Sequence, residues 1–172
     1  MNTCEITIDP VEVARYMKSG AKPLEGGLLE RVKTLIAEAP IDARGVWKAE
    51  GDAIYLCGTI GSRFDQWQRR LSVLGATDAL IAQAIGAAAV EAVMDRLEAE
   101  AKAANPGEWG VRRSPGYGVM PLSDSAKIVG KLDATRRIGV AVTEDHLLVP
   151  TKSVTAVCSL VITGEGLSEC RR

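Results

Sequence analysis

The sequence predicts an α+β fold, a largely antiparallel β-sheet flanked by helices with one long central helix. Three observations carry this. Helical and strand patterns mix along the chain without the regular alternation that builds a parallel sheet. The stretch "GVWKAEGDAIYLCG" (45–58) reads as two strands joined by a tight turn at Glu50-Gly51-Asp52. Residues 76–104 run without a proline between Gly75 and the break at Asn105-Pro106-Gly107, which marks one long helix.

Taken in order, Ile6 to Ile8 alternates and predicts a short opening strand. "DPVEVARYM" starts a helix, with Asp9 as cap and Pro10 at the first helical position. "KSGAKPLEGG" breaks it. Leu28, Leu29, Val32, Leu35, Ile36 and Ala39 recur at helical spacing, and Pro40 ends that helix. After the strand pair, "GSRFDQWQRRLSVLG" predicts a helix, with Ser62 and Asp65 spaced as a capping box and Gly75 as its stop. Thr77 is the expected cap of the long helix. The small residues from Gly86 to Val90 predict close approach of another backbone. "LSDSAKIVGKLDA" predicts a helix capped near Ser123 or Asp124, "RIGVAV" a strand, "TEDHLLVPTK" a connection and "SVTAVCSLVIT" a final strand. The polar tail from Gly164 is expected to fray.

The 172 residues suit a single domain spanning 1–172, and a chain of this length can bury a core without staples. It is 47% hydrophobic and 25% charged, with a formal net charge of −1. That balance gives no electrostatic case for nucleic acid, and the recurring arginine pairs, among them Arg69-Arg70, read as solvated faces. No run of about 18 uninterrupted apolar residues is present, so no membrane span is expected. The N-terminus lacks a charged segment followed by an apolar core, and a cytoplasmic location is the expectation. Cys4, Cys57, Cys158 and Cys170 have no zinc-ligand spacing, and His146 is the one histidine, so no metal site is expected. Cys57 and Cys158 lie in apolar runs and read as small core residues.

Two places point to chemistry. Glu91 shares a helix face with Ala84, Ala87, Ala88, Met94 and Asp95. A carboxylate among alanines either lies on a wet edge or meets a cation, because an unpaired buried charge is costly. Asp95, Glu98 and Glu100 read as a solvated face. The second place is "RRSPGYGVMP" (112–121). Pro115 holds Ser114 extended, and Gly116 and Gly118 allow backbone angles closed to other residues. Tyr117, between the glycines, is displayed, and its ring face suits a cation. Arg112 offers a fork for a carboxylate. On these residues alone, an ordinary turn and a cradle for a small charged ligand both stand. The loop is neither a P-loop nor a dinucleotide fingerprint. An enzyme built on His146 would need partners assembled from distant positions.

Three segments in order, "AAVEAVMDRL", "RRSPGYGVMPLSDSAKI" and "IGVAVTEDHLLVPTKSVTAV", resemble the activation domain of cobalamin-dependent methionine synthase, and still more the short stand-alone proteins related to it. The matching positions are Arg112, Pro115-Gly116-Tyr117, Pro121, Thr143-Glu144, Pro150 and Ser153-Val154. The resemblance implies a domain that binds S-adenosylmethionine (AdoMet) and presents its methyl group to cobalamin. It implies Glu91 as an AdoMet contact and Arg112 as the arginine for the AdoMet carboxylate. Ser114 stands at a backbone contact, and Tyr117 near the reacting methyl, in the catalytic position. With them, Pro115, Gly116 and Gly118 form the cofactor-binding loop. The chain carries no D-x-H-x-x-G cobalt-ligating motif, so cobalamin would come from a partner, a methionine synthase or other corrinoid protein. Flavodoxin or another one-electron donor is a further implied partner. After Tyr117 the chain reads "GVMP" where the methionine synthase domain has alanine-cysteine-proline. The chain is also shorter than that domain and is expected to lack its N-terminal acidic AdoMet contact. That shortening supports a second expectation, a docking module for a corrinoid protein that makes no use of AdoMet.

Overall fold

The structure, a computed structural model, describes residues 3–17 and 25–161. The break at 18–24, the tail from Gly164 and Cys170 lie outside the described residues.

Helix α1 (Pro10–Tyr16) starts as expected, with the Asp9 carboxylate accepting from Val11 N at 2.8 Å. Helix α2 spans Gly26–Glu38. Strands β1 (Arg44–Glu50) and β2 (Ala53–Thr59) form the predicted antiparallel hairpin, turning at Gly51 with φ +62°. Helix α3 (Ser62–Leu74) and the 29-residue α4 (Ala76–Ala104) follow. Then come α5 (Asp124–Leu132), α6 (Ala134–Ile138), the short pair β3 (Ala141–Val142) and β4 (Leu148–Val149), and β5 (Ser153–Ser159). Strand β5 pairs antiparallel with β2, giving the sheet order β1-β2-β5.

Both faces of this sheet are covered, and side-chain alternation sorts its residues between two cores. Ile54, Leu56, Ala156 and Cys158 join the larger core with α4, α1, α2 and α3. Val46, Cys57 and, at its edge, Val157 meet Ile128, Leu132, Ile138 and Val140 on the other side. A central strand covered twice is apolar nearly throughout, as β2 is.

Helix α4 is long and apolar enough by length and composition to cross a membrane. Its burial against the sheet and the other helices accounts for that composition. Its distance from the sheet is set by strand glycines. A Cβ on Gly58 would sit 2.7 Å from Val93 Cγ1 and 2.9 Å from Met94 Sδ, and one on Gly45 would sit 2.5 Å from a Leu97 methyl.

Several local expectations are corrected. Residues 6–8 form no strand. The chain instead meets the start of β1 through the Thr3–Arg44 bridge, with Cys4 N donating to Ala43 O just before the strand, and then crosses α4, where Arg96 donates to Glu5 O. Ile6 and Ile8 pack half-buried against the larger core without a ladder. The Ser62–Asp65 capping box is absent. Gly61 is the N-cap of α3, and the Asp65 carboxylate accepts from Thr151 N instead. Gly75, not Thr77, precedes α4. The space over Gly86 is filled by side chains, Phe64 and Lys152, rather than by another backbone. "RIGVAV" begins as helix α6, and only Ala141–Val142 is strand. The "TEDHLLVPTK" connection contains β4, and the β3–β4 turn holds His146 at φ +62°.

Cys4, Cys57 and Cys158 are buried free thiols. Burial pushes the Cys57 thiol up to about 12 and raises the other two. The thiolate is the reactive form. A Cys170→Ser variant is therefore expected to show almost no fast reaction with Ellman's reagent at pH 8 until denatured, when three thiols titrate. Rapid titration of the native variant would contradict this burial.

Candidate functional site

The candidate site lies between α4 and the segment 109–121. That segment is held to the free edge of β5. Gly110 N donates to Ser159 O at 2.9 Å, and Arg113 and Val157 exchange both backbone hydrogen bonds at 2.9 and 2.8 Å. Trp109 Nε1 donates to Asn105 O, tying the start of the segment to the end of α4. The loop then closes on itself, with Gly116 N donating to Met120 O at 2.9 Å and Met120 N to Tyr117 O at 3.2 Å. Gly116 (φ +87°) and Gly118 (φ +60°) occupy the left-handed region, which glycine enters without strain.

This path places Arg112 over α4. Its guanidinium donates to Glu91 Oε2 at 2.5 Å, Asp95 Oδ1 at 3.0 Å and Glu98 Oε2 at 3.1 Å. The three carboxylates stand at i, i+4 and i+7, one face of one helix. Lys102 also reaches Glu98, at 2.6 Å. Arg112 is 15% exposed, and its partners range from Glu98 at 21% through Glu91 at 43% to Asp95 at 72%. Three acids against two cations leave one negative charge over. Glu91 therefore sits on a partly wet edge and also meets a cation, and the cation within the chain is Arg112. Asp95 and Glu98, expected as a solvated face, are the side chains that hold this arginine. Their spacing was visible in the sequence.

An open cleft of about 850 Å³ lies beside this cluster. Glu91, Arg112, Ser114, Tyr117 and Gly118 line it, and Tyr117 is 78% exposed. Pro115 is buried beneath the loop, and Gly116 shapes the turn without lining the cleft. Val119, Met120 and Pro121 of the loop add to the lining, and sequence reasoning missed Arg113, Asp124, Val157 and Ser159, which complete it. Nothing local marks them, since strand pairing and the start of α5 bring them in. Tyr16 lies near the Glu91 end. Burial, and then the Glu91 charge, raise its phenol above the usual range. His146, exposed in its turn, is not part of this cleft.

No protein-family model and no curated protein matches the sequence. Among solved structures, the crystal structure of the MetH reactivation domain bound to AdoHcy is similar. The TM-score is 0.63 and the identity 15%, over 92% of this chain and 68% of that one. The likeness is one of fold, and it agrees with the predicted class: mixed α and β, an antiparallel sheet and a long central helix.

Proposed function

We propose that the chain binds AdoMet in the cleft between α4 and the 109–121 loop, and that it serves as a reactivation subunit for a separate corrinoid protein. A cobalamin-dependent methionine synthase is the leading partner. One observation carries the reading. Glu91 on α4 and Arg112, Ser114, Tyr117 and Gly118 on the loop line one cleft in a fold also found in a reactivation domain solved with AdoHcy.

The residue types suit that ligand. AdoMet carries a carboxylate, an ammonium and a sulfonium. The excess negative charge around Glu91 and Asp95 favours the ammonium. Arg112 can release Asp95, its most exposed partner and so its weakest pair, and turn that edge of its fork to the carboxylate. Tyr117 presents a ring to the sulfonium from a loop turn fixed by Gly116 and Gly118. Cobalamin, supplied by the partner, would accept the methyl group after one-electron reduction by flavodoxin or another donor. This chain's own residues bind the methyl donor, orient it and expose it at a protein surface.

Isothermal titration with AdoMet tests the site. Binding is expected for the wild type, with affinity reduced about tenfold in Glu91→Gln and again in Tyr117→Leu. Methylcobalamin formation from labelled AdoMet, reductant and corrinoid protein tests the role. Absence of AdoMet binding even with the corrinoid protein present would sink the proposal. The second reading, docking without AdoMet, draws on Arg112 being already satisfied by three carboxylates. It predicts complex formation with the corrinoid protein that AdoMet leaves unchanged.

A further inference from the structure

Helix α3 is amphipathic, and its outer face differs from the rest of the charged surface. Phe64, Trp67 and Leu71 face the core. Arg63, Gln66, Arg69, Arg70 and Val73 fall on the opposite side and are all exposed. With Pro40, just after the end of α2, they line a second cleft of about 530 Å³. It shares no lining residue with the cleft at Tyr117.

Most arginines and lysines elsewhere in the described residues stand within ion-pair distance of a carboxylate: Arg15 on Glu12, Arg31 on Asp78, Arg44 on Asp42, Arg136 on Asp133. Arg63, Arg69 and Arg70 have no such partner among the described residues. The nearest acid in sequence, Asp65, is turned away and accepts from Thr151 N. Three guanidinium groups in one concavity repel one another, so a complementary anion lowers the energy of the arrangement. Val73 is 86% exposed and Leu74, next to it, 76%. A small inorganic anion would leave those side chains in water, whereas a protein segment carrying both carboxylates and aliphatic groups would cover both.

We propose that the α3 cleft at Arg63, Arg69, Arg70 and Val73 docks an acidic, leucine-bearing segment of a partner protein. The arginines take the carboxylates and Val73 takes an aliphatic side chain. This surface is independent of the AdoMet reading, since it uses none of the same residues.

Fluorescence anisotropy with the full chain and a labelled peptide of alternating glutamate and leucine tests it. Binding is expected at about 50 mM salt, weakened about tenfold or more at about 500 mM by screening. Arg63→Glu/Arg70→Glu should lower affinity at least about tenfold, Arg63→Gln/Arg70→Gln less, and Val73→Ser about threefold. These positions are exposed, so circular dichroism spectra and melting temperatures should match the wild type. Three results would overturn the proposal: no binding of the peptide, equal binding by wild type and both double variants, or tighter binding of single-stranded DNA or heparin than of the peptide.

Discussion

Arg112→Ala is expected to destabilise the protein by about 1–3 kcal/mol, the range for removing one partner of charge-assisted hydrogen bonds. In a chain of this size that lowers the melting temperature by several degrees. The loss has two sources. The loop segment gives up its side-chain hold on α4, and Glu91, Asp95 and Glu98 are left as like charges on one helix face, with Lys102 still paired to Glu98. A double variant, Arg112→Ala/Glu91→Gln, should recover part of the stability, because Glu98 keeps Lys102 and Glu91 is the less exposed of the two carboxylates left without a cation. Arg112→Lys should fall between, since one ammonium cannot reproduce a planar fork shared by three carboxylates. Urea titrations of the four proteins at low and high salt would check this. If Arg112→Ala melted like the wild type, the cluster would be a surface ornament rather than a tie between loop and helix.

Gly58→Ala should cost a comparable amount, about 1–3 kcal/mol, by overpacking. The added methyl meets Val93 Cγ1 at 2.7 Å. A valine on a helix has one strongly favoured rotamer and little room to turn aside. Gly45→Ala meets the methyls of Leu97 and, at 2.9 Å, its Cγ, and a leucine on a helix has two common first torsions as well as a second, so the whole side chain can swing aside and the cost there should be smaller. The order of the two variants in thermal melts is the test, and equal effects would mean that α4 itself yields. Gly58 also bears on the site. Val93 lies between Glu91 and Asp95 on α4, so lifting the helix at Val93 moves both carboxylates relative to a loop fixed on β5. Weaker ligand binding in Gly58→Ala, with every lining residue intact, is the expected companion result.

The sequence disclosed elements where one local period dominates. The apolar spacing of α2, the long uninterrupted α4 and the β1–β2 hairpin with its glycine turn all follow from neighbours in the chain. It misled where a tertiary partner or a backbone reversal decides. The Asp65 carboxylate looked like a cap for α3 because the connection that claims it, at Thr151, is 86 residues away. Residues 137 and 138, the start of "RIGVAV", looked extended because Ile138 and Val140 are β-branched, yet Asp133 in the left-handed region (φ +50°) ends α5 and starts a further helical turn that runs through Ile138. The site was legible in halves. Glycine and proline marked the loop, and Glu91 stood out among alanines. That Arg112 grips Glu91, 21 residues earlier, required the helix end, the turn at Gly107–Trp109 and the pairing with β5 to be known together.

The pairing of Arg113 with Val157 has one more consequence. Strand β5 is the outermost strand on its side of the sheet, and an uncovered outer strand offers its amides and carbonyls to any other chain that approaches. Residues 110–113 occupy that position. The segment that would receive a ligand on one side thus, on the other, covers the β5 edge against pairing with a second chain. Changes that loosen it for the sake of binding carry a risk of self-association.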